Sequence, residues 1–196
     1  MTLPSSSACE RNRDPILAVL RKYFAERMHV LEIGSGTGQH AEYFAAELPH
    51  LTWQASDRDE NLPGIGLRLK EAALENTPAP LTFDVKNDWP AGGYDALFTA
   101  NTLHIMSWAE VECLFRGIGT LLKDDATVVV YGPFKYKGEF TSASNATFDA
   151  SLKSGAPHMG IRDFEAVNVL AQKAGLNLVG DISMPANNRC LIWRRA

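Results

Sequence analysis

The segment Val30-Leu31-Glu32-Ile33-Gly34-Ser35-Gly36-Thr37-Gly38-Gln39 is the part of the chain most suited to holding a ligand. Glycines at this spacing let the backbone turn sharply off a strand, so a ligand can lie against bare amides at the start of the following helix. A nicotinamide or flavin dinucleotide fingerprint wants its third glycine three residues after the second, and that position is Gln39. The phosphate-binding Walker loop fails as well, since no Gly-Lys-Ser/Thr follows. Asp57, 19 residues after Gly38, is placed to accept both hydroxyls of a ribose, which one carboxylate can do at once. Asp84 closes the next strand, and both carboxylates could serve instead as strand-end caps. Thr99-Ala100-Asn101-Thr102-Leu103-His104 ends a fourth strand. His104 is the histidine near enough to that edge to move a proton at neutral pH, the alternative being a ring packed under the loop.

Positioning these residues takes alternating strands and helices, and the hydrophobic pattern supplies them. Asp14-Pro15 reads as a helix N-cap and first turn leading to Leu17, Leu20 and Phe24. The strand His29 to Ile33 runs into the glycines, followed by Ala41, Phe44, Ala45 and Leu48 at helical spacing. Leu51 to Ser56 is a second strand, Ile65, Leu69 and Ala72 mark a helix, and Leu81 to Phe83 is a short third strand. Tyr94 to Ala100 is the continuous apolar run of a buried parallel strand, and Val111, Leu114, Phe115, Ile118 and Leu122 mark the helix after it. Ala126 to Tyr131 is the fifth strand. Asp163 can cap a helix bearing Phe164, Val167 and Ala171 that stops at Gly175. Strands Leu176 to Ile182 and Cys190 to Arg194 are joined too briefly for a parallel crossover and should pair antiparallel. Residues 132–160 form an insertion with a short helix from Ser144 to Leu152. Its aromatics Phe134, Tyr136, Phe140 and Phe148 suggest a lid packed on itself.

An acidic residue followed by Gly-x-Gly-x-Gly at the first strand-to-helix turn resembles the first motif of class I S-adenosylmethionine-dependent methyltransferases. Longer stretches are similar to the methyltransferase-like protein 26 family, itself classed as a domain of unknown function. They include Glu10-Arg11-Asn12-Arg13-Asp14-Pro15, Tyr131-Gly132-Pro133-Phe134, Asn145-Ala146-Thr147-Phe148-Asp149 and Met184-Pro185-Ala186-Asn187-Asn188. Ala8-Cys9 stands where that family tends to have Pro-Ala, and Gly34-Ser35 where Ala-Ser is common. The resemblance implies a Rossmann-like α/β fold over residues 1–196: a doubly wound, seven-stranded, mostly parallel sheet with an antiparallel C-terminal strand. It implies S-adenosylmethionine as cofactor, and Arg11, Asn12, Glu32, Gly34, Gly36, Gly38, His40, Asp57, Asp84, Val85, Asn101 and Thr102 are the candidates to hold it. Methyl transfer from a sulfonium needs orientation and exclusion of water more than it needs protein chemistry. A protonated acceptor would use a base, with His104, Asp149 and Tyr131 as the catalytic candidates.

Composition narrows the rest. Of 196 residues 45% are hydrophobic and 21% charged, which excludes a disordered chain. The net charge of -4 argues against a partner held mainly by phosphates, so nucleic acid is not expected. Cys9, Cys113 and Cys190 have neither zinc-site nor disulfide spacing and read as thiols in a reducing compartment. With no apolar run near the roughly 18 residues of a membrane span, a cytoplasmic enzyme is expected. Its acceptor is expected to be a small molecule, with a protein or RNA methyltransferase or a non-catalytic binding module as the alternatives.

Overall fold

The computed structural model describes residues 3–87 and 89–196. Its main sheet is built from β1 (His29–Ile33), β2 (Thr52–Asp57), β3 (Leu81–Thr82), β4 (Tyr94–Ala100), β5 (Leu122–Gly132), β9 (Leu176–Met184) and β10 (Asn188–Arg195). Three more strands, β6 (Phe134–Tyr136), β7 (Glu139–Phe140) and β8 (Arg162–Asp163), make a small second sheet in the order β7-β6-β8. The helices are α1 (Ser7–Tyr23), α2 (Gln39–Glu47), α3 (Leu62–Ala72), α4 (Trp108–Leu121), α5 (Ala143–Gly155) and α6 (Phe164–Lys173).

The main sheet has the order β3-β2-β1-β4-β5-β10-β9, with β1 to β5 parallel and β10 antiparallel to both of its neighbours. The chain therefore runs outward from β1 through β2 to β3 and then returns to β4 on the other side of β1. That reversal opens a crevice beyond the carboxyl ends of β1 and β4, where open α/β sheets bind ligands.

Why the central strands are continuously apolar follows from their two covered faces. Val30, Phe98 and Val129 point into a cluster with Ile16, Leu20 and Phe44, on the side of α1 to α3. Their neighbours Leu31, Leu97, Val128 and Val130 point into a second cluster with Leu114, Phe115 and Trp193, on the side of α4 and α6. Successive strand residues face opposite ways, so a sheet buried on both sides has no polar face to alternate with.

Three expectations are corrected. The first helix begins at Ser7 and not at Asp14, and Pro15 lies inside it. No apolar period marks residues 7–14, because that half of the helix is anchored by a polar contact, Asn12 to His40, and not by a greasy stripe. The fifth strand starts at Leu122, four residues before Ala126, across a register shift between Tyr94 and Ala96 on its partner. Asp163 stands at the N-cap of α6 as expected, and its carboxylate also accepts from Gly138 N–H. The insertion's aromatics do not pack on one another. Phe134 joins the core, Tyr136 stacks on Phe164 and donates to Asp181, and Phe148 turns to the cleft.

Candidate active site

The first wall of the crevice is set by the turn after β1. Gly34 has φ +74°, and a Cβ there would lie 2.4 Å from Thr102 Cγ2, so only glycine lets the end of β4 close against this turn. The amides of Gly34 and Ser35 both donate to Ser56 O, which ties the turn to β2. Gly36 has φ +58°, and a Cβ there would meet nothing within 4 Å, since this residue faces open cleft. Gly38 is the N-cap of α2.

Asp57, at the end of β2, accepts from Gly36 N–H at 2.6 Å through one oxygen and from Arg58 N–H and Asn61 Nδ2 through the other. The same carboxylate thus holds the glycine turn in shape and, with three of its roughly four acceptor sites taken, keeps one on the oxygen facing Gly36 for the cleft. Beside it, Arg58 bridges Asp84 at 3.1 Å and Glu110 at 2.9 Å, and Lys86 reaches Glu110 at 3.2 Å. Burial would raise the Glu110 carboxyl, but the Ser107 amide and hydroxyl and the Lys86 ammonium overcome this and hold it at about 2. Ser107 and Glu110 complete a capping box at the start of α4.

Beneath the turn, Glu32 is fully enclosed and accepts from Ser35 Oγ and Trp53 Nε1. Burial lifts it to about 7, helped by the nearby Asp57, although both hydrogen bonds pull the other way. His40 is brought down to about 4 by burial, and the neutral ring donates from Nε2 to Asn12 Oδ1 at 2.7 Å.

The opposite wall begins at Asn101, whose φ of +60° turns the chain off β4 while its amide donates to Tyr131 O. His104 follows, 6% exposed, with its ring edge-on to Phe148 at 5.3 Å between centroids. Burial, with a smaller push from Arg162, lowers the imidazole to about 4. Arg162 donates to the carbonyls of Leu103, Met106 and His158, so one guanidinium joins the segment after β4 to the segment before β8. Gly160 N–H donates to His104 O. Asp149, on α5, accepts from Ile161 N–H at 2.7 Å and pairs with Lys153 at 2.6 Å.

Together these walls enclose a cleft of about 1090 Å³. Gly34, Gly36, His40, Asp57, Asp84, Val85, Asn101, Thr102 and His104 line it. Arg11, Asn12, Glu32, Gly38, Tyr131 and Asp149 do not. Arg11 is exposed, Asn12 is engaged by His40, and Glu32 and Gly38 stand behind the lining. Tyr131 is buried in the core, where loss of solvent raises its phenol. Cys9, Arg58, Asn61, Met106, Glu110, His158 and Met159 line the cleft without having been singled out. The capping box of Ser107 and Glu110 was not read from the sequence, although Ser-x-x-Glu is its signal, and nothing local marks His158 or Met159, which reach the cleft through Asp149 and Arg162.

Residues 3–195 match a family described as protein of unknown function (DUF938). Among solved structures, the fold is similar to that of the S-adenosylmethionine-dependent methyltransferase SibL in its apo form. The TM-score is 0.82 at 22% identity, over 96% of this chain and 55% of that one. An O-methyltransferase family protein from Burkholderia thailandensis has a TM-score of 0.84 at 18% identity, over 96% of this chain and 57% of that one. The mitomycin 7-O-methyltransferase MmcR has a TM-score of 0.85 at 20% identity, over 97% and 55%. The chain spans just over half the length of the structures it matches, and at these identities the likeness establishes the fold.

Proposed function

The chain belongs to the DUF938 family, and we propose that it is an S-adenosylmethionine-dependent methyltransferase acting on a small-molecule acceptor. The observation that carries this reading is the glycine turn locked to a strand-end carboxylate, Gly36 N–H to Asp57, at the mouth of a two-walled cleft. At about 1090 Å³ the cleft is at or beyond the upper end of the roughly 300–1,000 Å³ usual for one ligand, so a cofactor and an acceptor fit together. The closer resemblance to the methyltransferase-like protein 26 family forms part of this proposal, as does the treatment of residues 132–160 as a lid.

The residues suit an adenosyl group. Gly36 leaves room where a side chain would stand, Asp57 has one acceptor site left for a ribose hydroxyl, and Asp84 and Val85 offer an acceptor and an apolar face to a base. Asn101 and Thr102 bring backbone and short polar side chains to the other end. The bound cofactor would supply the electrophilic methyl. The protein's own part is to orient the acceptor and exclude water, and effective molarities from such positioning are worth about 7–11 kcal/mol of barrier.

His104 is the candidate to take the acceptor's proton. At pH 7 it is neutral and so able to accept, but its low basicity suits an acceptor whose own proton is acidic. Asp149 and Tyr131 are outside the lining, so their proposed part shrinks to support. Asp149 holds Ile161 beside the segment that carries His158 and Met159 into the acceptor half. MmcR, by its name, methylates an oxygen of a small molecule, which agrees with this assignment.

Calorimetric titration with S-adenosylhomocysteine tests the reading. Saturable binding at one site per chain is expected, and absence of heat at millimolar ligand, with the protein folded, would overturn it.

A further inference from the structure

Residues 3–14 form an arm over the cofactor half of the cleft. Leu3 to Ser6 are extended or irregular, and Ser7 onward is the first half of α1. Ser6, Ala8 and Cys9 line the cleft together with the glycine turn. Pro15 divides this arm from the rest of the helix. It has no N–H to give the Arg11 carbonyl, so one helical hydrogen bond is missing at the point where the arm begins. Beyond Pro15, Ile16, Leu17, Val19 and Leu20 are buried in the core; before it, Asn12 is the one buried residue among those described.

The arm is fastened by polar contacts that converge on the start of α2 and on α3. Arg68 is 9% exposed and divides its guanidinium three ways. Nη2 donates to Pro4 O at 2.6 Å, Nε to Thr37 O at 2.8 Å and Nη1 to Glu42 at 2.7 Å. Arm, glycine turn and α2 are therefore held by one side chain. Ser6 N–H donates to Gln39 Oε1, which also accepts from Thr37 Oγ1. His40 holds Asn12 further along.

We propose that residues 3–14 are a proline-hinged arm that closes the cofactor cleft, and that Arg68 is its latch, a positioning residue that ties the arm to the glycine turn. The proposal rests on the reading of the cleft as an adenosyl site. An arm that swings about Pro15 lets the ligand in from the side of Ser6 and Cys9, while the buried half of α1 stays in place. Closure and occupancy are linked, so a ligand that favours the closed arm is retained in proportion to how firmly the latch holds.

Amide exchange on the ligand-free protein tests the latch without assuming the cofactor. In Arg68→Met, which keeps the stem and removes the donors, the hydrogen-bonded amides of the arm, Ser6 and Glu10, should exchange roughly tenfold faster or more, as loss of charge-assisted hydrogen bonds implies. Those of β4 and β5 should be unchanged. Release of S-adenosylhomocysteine, followed by stopped flow, should quicken by a similar factor, and Arg68→Lys should recover part of both effects. Gln39→Ala, which removes a single arm contact, should move both readouts in the same direction by a smaller factor and keeps the test open if Arg68→Met unfolds. Unchanged exchange of Ser6 and Glu10 in both variants would overturn the latch. Failure of the wild-type protein to bind would instead overturn the adenosyl reading, leaving the exchange result to stand alone.

Discussion

The wall of the cleft between residues 33 and 57 is one continuous strand, turn, helix and strand, held by backbone amides on Ser56 O and on the Asp57 carboxylate. The wall facing it is gathered from His104 to Met106, Phe148, His158 and Met159, and it owes its shape to two side chains, Arg162 and Asp149, that contact no ligand space themselves. The first wall is built from short-range geometry and suits an invariant ligand. The second carries aromatic, sulfur-bearing and imidazole side chains, adjustable by exchange of single residues, and on the proposed reading it faces the acceptor. If the proposed function holds, damage to the two walls should separate into loss of cofactor and loss of acceptor.

The largest effect is expected at Gly34. Alanine there must adopt φ +74° and push against Thr102 Cγ2, at a cost of about 3 kcal/mol in urea unfolding from the left-handed backbone and the overlap together. A cost under about 1 kcal/mol would mean that the end of β4 yields easily and that the two walls are not rigidly joined. Asp57→Asn comes next. Affinity for S-adenosylhomocysteine should drop about 30-fold by calorimetry, as expected for weakened hydrogen bonds to a charged acceptor. An unchanged affinity would remove this carboxylate from the ribose site.

Two carboxylates give the comparison a pH signature. Glu32 is raised from 4.5 to about 7, so what it contributes to stability is fully present below 4.5 and is lost as pH rises through about 7. Glu110 is depressed from 4.5 to about 2, so its contribution is present above 4.5 and is lost as pH falls toward about 2. Thermal melts across pH should show Glu32→Gln flattening the decline between 4.5 and 7. Glu110→Gln should flatten the decline below 4.5. Identical pH profiles for wild type and Glu32→Gln would show that the enclosed carboxyl titrates as if in water.

The smallest effect on stability is expected at Phe148, which is 40% exposed. Its change to Ala should cost less than about 0.5 kcal/mol and leave cofactor affinity within about twofold. It should nonetheless raise KM for the acceptor, since it removes the ring against His104. A matching loss of cofactor affinity would break the division between the walls.

The glycine turn and the apolar runs that became β1, β4 and β5 could be read directly, because strand period and glycine spacing are local properties of neighbouring residues. The residues of α1 before Pro15 could not, since a proline after an aspartate is the ordinary mark of a helix start and what holds the helix before it are contacts with distant residues, Asn12 with His40 and Asp14 with Tyr43. The small sheet of β6, β7 and β8 escaped for a related reason: two of its strands are two residues long, too short to show a period.

What the residues by themselves determined is the alternation of buried strands and covering helices, the turn at Gly34 to Gly38 and the acidic end of β2, because each follows from the chemistry of side chains close together along the chain. What only the tertiary structure decided is which polar groups face the cleft. Tyr131 and Asp149 turn away from it, whereas Arg58, Glu110 and His158 turn toward it. Those directions depend on partners tens of residues distant, such as Arg162 on Leu103 and Arg58 on Glu110. Hydrogen bonds and ion pairs of that range come into being only when packing has brought their ends together.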